Sequence, residues 1–317
     1  MILRRYHLFF IYGLLGILYV LVFLQKVQEI DSADFGEEMV IESAEGEKLT
    51  LTIPEPKIRL FELPKKISFA EEPVPLKEAD VMERFEREIY VNVYWQSNMI
   101  LLMKRAGKFL PTIEKILREQ GVPEDFKYLA MAESGLMNVA SPAGAKGFWQ
   151  FMPGTAKDYN LEVSDQVDER YHLEKSTVAA CRYLKSAYSK FGNWTSVAAS
   201  YNMGIAGIRN RKEEQNQSDY YDLHLVEETS RYLFRILAFK EIFENPVKYG
   251  FEFSDKDIYK QPLYRDLVVD QSIPSLAQWA IKHNSNYKLL KIHNPWLRSS
   301  KLDVKRGKKY LIKLPVD

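Results

Sequence analysis

The sequence predicts a mainly α-helical protein that ends in a small α+β module. Apolar residues recur at helical intervals from about residue 78 to residue 244, and no run of period-two alternation interrupts them. Beyond Pro246, two strand-like runs, 264–269 and 309–314, flank helical material. The composition agrees with a globular chain, because 46% of the 317 residues are hydrophobic and glycine and proline occur at ordinary levels.

The overall charge and the cysteine content argue against two classes of protein. The chain has 44 basic and 43 acidic residues, whereas nucleic-acid-binding domains are typically strongly basic. Cys181 is the single cysteine, so neither an intrachain disulfide nor a thiolate metal cage can form, and its apolar neighbours favour a core position. The histidines have no metal-ligand spacing. We therefore expect no metal, no cofactor and no nucleic-acid partner.

Leu8–Leu24 is an uncharged apolar segment of seventeen residues. A helix of that length spans about 26 Å, which is the short end of what crosses a bilayer. Arginines precede it and acidic residues follow it, so we expect an uncleaved membrane anchor over 1–30, with the remainder of the chain outside the cytoplasm. Two alternatives stay open: a signal peptide, although no convincing cleavage site precedes Ser32, and a buried core helix.

Residues 31–77 differ in composition from the rest of the chain. The region begins acidic and then contains five prolines, with only short apolar runs such as 49–53. Proline removes a backbone donor and fixes φ. This composition therefore predicts an extended tether, with room for one β-ribbon, rather than a packed domain.

The region 78–250 is predicted to be the helical domain. Gly107 and Gly121 are expected to mark two helix boundaries, and Pro111 is expected to open the helix between them. Other predicted helices cover 81–104, 173–191 and 226–243.

Glu133 is the leading candidate for acid–base chemistry. It lies near the end of a predicted helix, at i+7 from Phe126 and i+4 from Leu129, and therefore on the apolar face. Burial and the negative end of the helix dipole both disfavour a carboxylate and should raise its pKa. A carboxyl group that stays protonated near neutral pH can act as the general acid in glycosidic cleavage. From this geometry alone, a buried glutamate with a purely structural role remains an alternative.

Two further segments contain residue types that commonly hold sugars. A turn-rich loop over 141–154 combines flexible glycines with Phe148, Trp149 and Gln150, and aromatic and amide groups commonly line ligand sites. Tyr201-Asn202 lies at a predicted helix end, followed closely by a glycine. Each segment alone also fits core aromatics and a helix cap, so only their combination is specific.

Four ordered motifs resemble those of a known family. They are ESG (133–135), GFWQFMP (147–153), ASYNMG (199–204) and ETSRYLFRI (228–236). In this order and spacing they resemble the SLT catalytic domain of lytic transglycosylases, glycoside hydrolase family 23, which is related to goose-type lysozyme. The resemblance covers about 110–245. The sequence departs from the family at Ser230, where arginine is usual, and at Trp149, where methionine is commoner and where a changed sugar-binding face is expected.

The resemblance implies a lysozyme-like fold and a set of site residues. Glu133 would be the sole catalytic acid and base. The residues that bind the glycan or orient the acid would be Ser134, Gln150, Tyr201, Asn202 and Tyr232. The implied partner is the glycan strand of peptidoglycan, cut at the β-1,4 bond between N-acetylmuramic acid and N-acetylglucosamine to leave a 1,6-anhydromuramoyl end. A lysozyme-type hydrolase and a non-catalytic peptidoglycan-binding protein are the alternatives. The acidic residues from Asp158 to Glu169 are expected to be solvated caps and turns.

The C-terminal region 262–317 resembles a degenerate lysin-motif (LysM-like) module. Its predicted order is β-α-(α)-β, and the Gly-Asp-Thr entry that is usual in the motif is absent. Glycan binding and structural capping of the catalytic domain both stay open. Together with the N-terminal segment, the family resemblance implies a periplasmic protein anchored in the cytoplasmic membrane, or one secreted to the periplasm after signal cleavage.

Overall fold

The computed structural model of the protein describes two units that divide after Leu60. The described residues are 36–42, 48–54 and 58–316. The first unit contains an antiparallel ribbon of β1 (Gly36–Glu42) and β2 (Lys48–Pro54). The predicted membrane segment Leu8–Leu24 lies outside the described residues. Across the ranges that the structure covers, no helix is both long enough and apolar enough to cross a membrane.

The second unit is mainly helical, which confirms the predicted fold class. Its helical part contains α1 (Ala79–Tyr94), α2 (Gln96–Glu119), α3 (Phe126–Ser134), α4 (Pro153–Asp158), α5 (Leu173–Phe191), α6 (Trp194–Met203), α7 (Ile205–Gln215) and α8 (Glu227–Glu244). Helix α8 packs against α1, α3 and α6. It is buried on most of its surface because apolar residues such as Leu233, Ile236 and Leu237 cover several of its faces.

Helix α2 runs through two residues that were predicted to interrupt the helical region. Gly107 lies inside α2, and its missing side chain allows the segment at Ile258 to approach the helix, because an added Cβ would lie 1.8 Å from Cγ2 of Ile258. Pro111 is solvent-exposed within the same helix, and the fully buried Ile113 keeps the following turn on the core. These two predicted boundaries are therefore wrong. The predicted helix 81–104 is instead divided at Trp95, between α1 and α2.

Residues 61–77, predicted to be tether, belong to the packed helical unit. The unit contains a short hairpin of β3 (Ser68–Phe69) and β4 (Glu72–Pro73). Phe69 is fully buried, and its ring meets Phe126 edge-on with 5.1 Å between centroids. The Glu72 carboxylate accepts a hydrogen bond of 2.8 Å from the backbone N–H of Thr195, at the start of α6. The tether prediction is wrong for this stretch, because the hairpin buries apolar residues. Their burial could not be read from the composition, in which they form only short runs between prolines.

The C-terminal module has the predicted β-α-α-β order. It consists of β5 (Tyr264–Val269), α9 (Leu276–Lys282), α10 (Tyr287–His293) and β6 (Tyr310–Pro315). Strands β5 and β6 pair antiparallel, with Val269 opposite Tyr310. The apolar core of the module also includes Val167 and Tyr171 of the helical part. The module therefore packs on the helical part instead of standing apart from it.

Hydrogen bonds between the two parts reinforce that packing. The backbone N–H of Asp168 donates to the carbonyl of Trp296 at 2.9 Å. Gln166 donates to the Asp303 carboxylate at 2.6 Å and accepts from the Asp303 backbone N–H at 2.7 Å. His172 stacks on the indole of Trp296. These contacts give the module a structural role against the segment that precedes α5.

Candidate active site

Glu133 is the last residue but one of α3, which ends because Gly135 adopts a left-handed conformation with φ of 57°. The side chain is half-buried. Removal from water raises the pKa of Glu133 to about 7, and this effect outweighs the hydrogen bond from Tyr232 and the positive charge of Arg235, which both lower it. The predicted direction of the pKa shift is therefore what the structure shows. A substantial fraction of the carboxyl group is protonated at neutral pH.

Tyr232 lies opposite Glu133 on α8 and is 2% exposed. Its hydroxyl donates a hydrogen bond to Oε1 of Glu133. The second oxygen, Oε2, has no hydrogen-bond partner among the residues described. Burial raises the pKa of Tyr232 well above its ordinary value, as does the adjacent carboxylate, so the phenol stays a proton donor. One carboxyl oxygen is thus fixed and the other is left for a proton transfer.

Tyr201 and Asn202 are at the end of α6, as predicted, and both connect to neighbouring parts of the site. The Tyr201 hydroxyl donates to the backbone carbonyl of Trp149 at 2.8 Å. The Glu133 charge contributes, after burial, to raising the pKa of Tyr201, which places the two side chains in one electrostatic environment. Asn202 is exposed, and its Oδ1 accepts a hydrogen bond of 2.8 Å from the hydroxyl of Thr229. The amide nitrogen of Asn202 has no partner within the described part of the chain.

Gln150 closes a tight loop between α3 and α4. Its amide nitrogen donates to the carbonyls of Gly147 at 2.7 Å and Val139 at 3.2 Å, and its backbone has φ of 47°. Gly147 is required at its position, because an added Cβ would lie 1.9 Å from the carbonyl oxygen of Arg170. The Gln150 side-chain oxygen has no hydrogen-bond partner in the described ranges. That oxygen is available as an acceptor for a ligand.

Ser134 and Trp149 are both buried. The Ser134 hydroxyl lies 3.1 Å from the carbonyl of Ala130 and 2.9 Å from that of Phe148, so it joins the end of α3 to the loop. Trp149 is fully buried, and its indole N–H donates to the hydroxyl of Thr177 at 2.9 Å. The expectation that Trp149 changes the sugar-binding face is wrong, because its ring is part of the core.

A buried ion pair that sequence reasoning missed supports the same loop. Asp168 and Glu169 were expected to be solvated, but they are 3% and 5% exposed. Arg170 forms a two-pronged bridge to Asp168 at 2.9 and 2.7 Å, and also donates to the carbonyls of Gly144 at 3.0 Å and Phe151 at 3.1 Å. The only sequence signal was the Asp-x-Arg spacing, which does not indicate burial. The pair fixes both ends of the segment that contains Gln150.

Other candidate sites lie outside this group of residues. Among the described residues, no cluster of three or more His, Cys, Asp or Glu side chains could hold a metal ion. A cleft of about 810 Å³ is lined by side chains that include Lys190, Arg209 and Lys212, and none of the six predicted site residues lines it. Cys181 is fully buried, as predicted, and burial raises the pKa of its thiol to about 12.

Comparisons with known protein families define the class of both parts. Residues 111–224 match the transglycosylase SLT domain. Residues 265–317 match the soluble lytic transglycosylase C-terminal LysM-like domain. The resemblance found from the four motifs is confirmed, and the chain contains an SLT domain followed by a LysM-like domain.

Individual relatives cover smaller shares of the chain. The chain is 29% identical over 152 residues to membrane-bound lytic murein transglycosylase D of Escherichia coli strain K12, which is 46% of this chain and 34% of that protein. It is 28% identical over 118 residues to an Alteromonas protein with a provisional name for tributyltin chloride resistance, covering 35% of this chain and 57% of the relative. A solved structure of an inactive mutant of lytic transglycosylase Slt from Pseudomonas aeruginosa has 19% identity and a TM-score of 0.35, over 44% of this chain and 24% of that one. The chain thus spans about a third of the Escherichia coli relative.

Proposed function

We propose that this protein is a lytic transglycosylase that cleaves the β-1,4 bond between N-acetylmuramic acid and N-acetylglucosamine in peptidoglycan and leaves a 1,6-anhydromuramoyl end. The observation that carries the proposal is the Glu133 carboxyl at the end of α3, where the Tyr232 hydroxyl bonds to Oε1 and Oε2 has no partner among the described residues. Burial raises its pKa to about 7, which suits a group that must first donate and then accept a proton. The SLT domain around it supports the same assignment, since the Escherichia coli relative is named as a murein transglycosylase.

The proposed mechanism uses Glu133 twice. Its carboxyl proton passes to the glycosidic oxygen as the bond between that oxygen and C1 of the muramic residue breaks. The N-acetyl group of the substrate stabilises the positive charge that develops at C1. The Glu133 carboxylate then takes the proton of the C6 hydroxyl while that oxygen attacks C1. The new C1–O6 bond closes the anhydro ring, no water is consumed and the acid is regenerated.

The remaining predicted site residues have distinct proposed roles. The Tyr232 hydrogen bond orients the carboxyl of Glu133, so that Oε2 faces the reacting atoms. The amide nitrogen of Asn202 and the side-chain oxygen of Gln150, which have no partner in the described part of the chain, contact the glycan. Ser134 acts indirectly, since its hydroxyl bonds to backbone carbonyls and positions the loop that carries Gln150. Tyr201 contributes by packing and by its hydrogen bond to the same loop.

A digest of purified murein distinguishes this proposal from its two alternatives. The wild-type protein and Glu133→Gln are incubated with murein, and the products are analysed by mass spectrometry. Anhydro ends from the wild type, and none from the variant, are expected. Reducing ends, which are heavier by one water, would identify a hydrolase instead. Binding without any cleavage by the wild type would identify a non-catalytic peptidoglycan-binding protein. Circular dichroism of the variant checks that its fold is retained.

We also propose that the protein works in the periplasm, attached to the cytoplasmic membrane by residues 1–30. The order of charges around Leu8–Leu24 supports this orientation, and the Escherichia coli relative is named as membrane-bound. Membrane fractions washed with high salt should retain the protein with its initial residues intact. A soluble form whose N-terminus lies near residue 33 would contradict the anchor and establish signal cleavage.

A further inference from the structure

Residues 162–172, called the bridging segment below, lie between α4 and α5 and pair with the C-terminal module. The backbone N–H of Asp168 donates to the carbonyl of Trp296 at 2.9 Å. The backbone N–H of Arg298 donates to the carbonyl of Gln166 at 2.8 Å. The pairing is antiparallel, so the bridging segment and the module share a short piece of β-ladder.

Side chains of the bridging segment complete the apolar core of the module. Val167 lies opposite Leu297 between the two backbone hydrogen bonds, and both side chains are buried. Tyr171 belongs to the same core, and the guanidinium of Arg298 lies 4.4 Å from the centroid of its ring. Because this apolar surface is removed from water only when the two parts meet, the module and the bridging segment hold each other in place.

Charged side chains connect the module to both ends of the bridging segment. At the first end, the Glu162 carboxylate accepts hydrogen bonds from the ammonium of Lys308 and, at 3.0 Å, from the hydroxyl of Tyr310. Just beyond the second end, Lys313 donates to the carboxylate of Glu174 in the first turn of α5. The module therefore holds the bridging segment at its ends as well as in its middle.

The bridging segment also contacts the loop that carries Gln150. The buried guanidinium of Arg170 donates to the carbonyls of Gly144 and Phe151, which flank Gln150 in the chain. The same guanidinium is fixed by the carboxylate of Asp168, at 2.9 and 2.7 Å. Since the backbone of Asp168 bonds to the module, a continuous series of direct contacts runs from the module to the loop.

The conformation of Gln150 depends on this support. Its backbone has φ of 47°, a left-handed conformation that a residue with a side chain keeps only where its surroundings hold it. Its amide nitrogen donates to the carbonyl of Gly147 at 2.7 Å. Gly147 in turn packs directly on the backbone of Arg170, so closely that an added Cβ would lie 1.9 Å from the carbonyl oxygen. A displaced bridging segment would therefore displace Gln150 as well.

We propose that the LysM-like module is a positioning element of the active site, which holds the bridging segment and thereby keeps the loop in the conformation in which Gln150 meets the glycan. The proposal rests on the proposed contact between Gln150 and the glycan. In this role the module acts on the substrate through Asp168 and Arg170, and none of its own residues needs to touch the sugar. The alternative is a module that recruits glycan with its own surface.

The substitution Val167→Asp in the full-length protein tests the proposal. It places a carboxylate in the core that the bridging segment shares with the module, and should release one from the other. With a soluble tetrasaccharide prepared from murein, KM should rise about tenfold, because the hydrogen bond between Gln150 and the glycan is lost. The value of kcat should change less, since that bond is lost from the bound substrate and the transition state alike.

Ile281→Asp is the matched control, because it makes the same kind of change at an exposed position of α9. Both kinetic constants should stay at their wild-type values in this variant. A purely structural role of the module would lower kcat in proportion to the folded fraction of Val167→Asp and leave KM unchanged. Weaker binding to insoluble murein, with normal turnover of the tetrasaccharide, would also overturn the proposal and identify the module as a recruiter of glycan.

Hydrogen exchange of the backbone amides in residues 141–152 provides a readout that does not depend on turnover. These amides should exchange faster in Val167→Asp than in the wild type or in Ile281→Asp, because the loop loses the support of Arg170. Unchanged exchange in the loop would overturn the proposal. Failure of the wild type to cleave glycan would instead refute the proposed function, while the exchange rates still decide whether the module holds the loop.

A pair of cysteines keeps the test decisive if Val167→Asp does not fold. Val167→Cys combined with Leu297→Cys suits a disulfide, because the Cα atoms of such an antiparallel pair lie about 4.5 Å apart. The native Cys181 is buried in the other core cluster. The oxidised form should keep the wild-type KM, whereas the reduced form, which lacks two aliphatic side chains of the shared core, should have a raised KM and faster exchange in the loop. Equal constants and equal exchange in the two forms would overturn the proposal.

Discussion

Replacing Tyr232 with phenylalanine removes the one hydroxyl that bonds to Glu133 and leaves the buried ring in place. A hydrogen bond to a charged acceptor contributes about 1.5–3 kcal/mol, and one between neutral groups about 0.5–1.5 kcal/mol. The difference, about 1–1.5 kcal/mol, corresponds to about one pH unit in the titration of the carboxyl. The pKa of Glu133, now about 7, should therefore rise by about one pH unit in the variant. We expect turnover to fall about tenfold as well, because the carboxyl loses its orientation.

The assay for this prediction is the pH profile of kcat/KM together with urea denaturation. The matched control is Tyr249→Phe, since Tyr249 is also buried and its hydroxyl also donates to a buried carboxylate, Oε1 of Glu241, at 3.0 Å. Both variants should lose stability, by about 1.5–3 kcal/mol where the acceptor is a charged carboxylate and by about 0.5–1.5 kcal/mol where it is protonated. Only Tyr232→Phe should move the alkaline limb and slow turnover. An unchanged rate and profile would remove Tyr232 from the site without affecting the assignment of Glu133.

Three other substitutions test the surroundings of the site. Gly147→Ala should reduce turnover about a hundredfold, as measured by murein digestion, because its Cβ would displace the loop from Arg170. Phe69→Ala should lower the free energy of unfolding, measured by urea denaturation, by about 3–5 kcal/mol because Phe69 is buried in the core. A decrease below about 1 kcal/mol would instead support the interpretation of residues 61–77 as a tether. The pKa of Glu133 is raised from 4.5 to about 7, so its contribution to stability is fully present below pH 4.5 and lost as pH rises through about 7. Over that pH interval, the free energy of unfolding of the wild type should fall by about 3 kcal/mol, whereas that of Glu133→Gln should not.

The helical periodicity predicted the helices around the site well because each helix buries one apolar face. Helix α5, predicted over 173–191, has those bounds in the structure, and α8 differs by one residue from the predicted range at each end. The failures occur where distant residues determine the local structure. Gly107 was taken as a boundary, but it allows close approach of the segment at Ile258. Nothing in the residues around Gly107 indicates that contact.

The predictions for the site also succeeded where they depended on local sequence and failed where they depended on residues distant in the chain. The apolar spacing before Glu133 was sufficient to predict a desolvated carboxyl with a raised pKa, because the apolar face of a helix is the face that packs against the core. The role of Ser134 was implied by the family motif alone, and the structure shows its hydroxyl bonded to backbone carbonyls. The buried pair of Asp168 and Arg170 was missed, because its burial depends on the LysM-like module packing over that segment.

The sequence by itself determined the helical class, the order of the motifs and the SLT and LysM-like parts, and it singled out Glu133 as the proposed acid. These features depend on residue periodicity and on short segments whose chemistry is local. Only the tertiary structure decided which charges surround Glu133, that residues 61–77 join the core and that the C-terminal module packs on the helical part. The physical reason is that each of these involves residues far apart in the chain, such as Asp168 and Trp296, and their energies depend on burial and distance. Composition and spacing do not contain those two quantities.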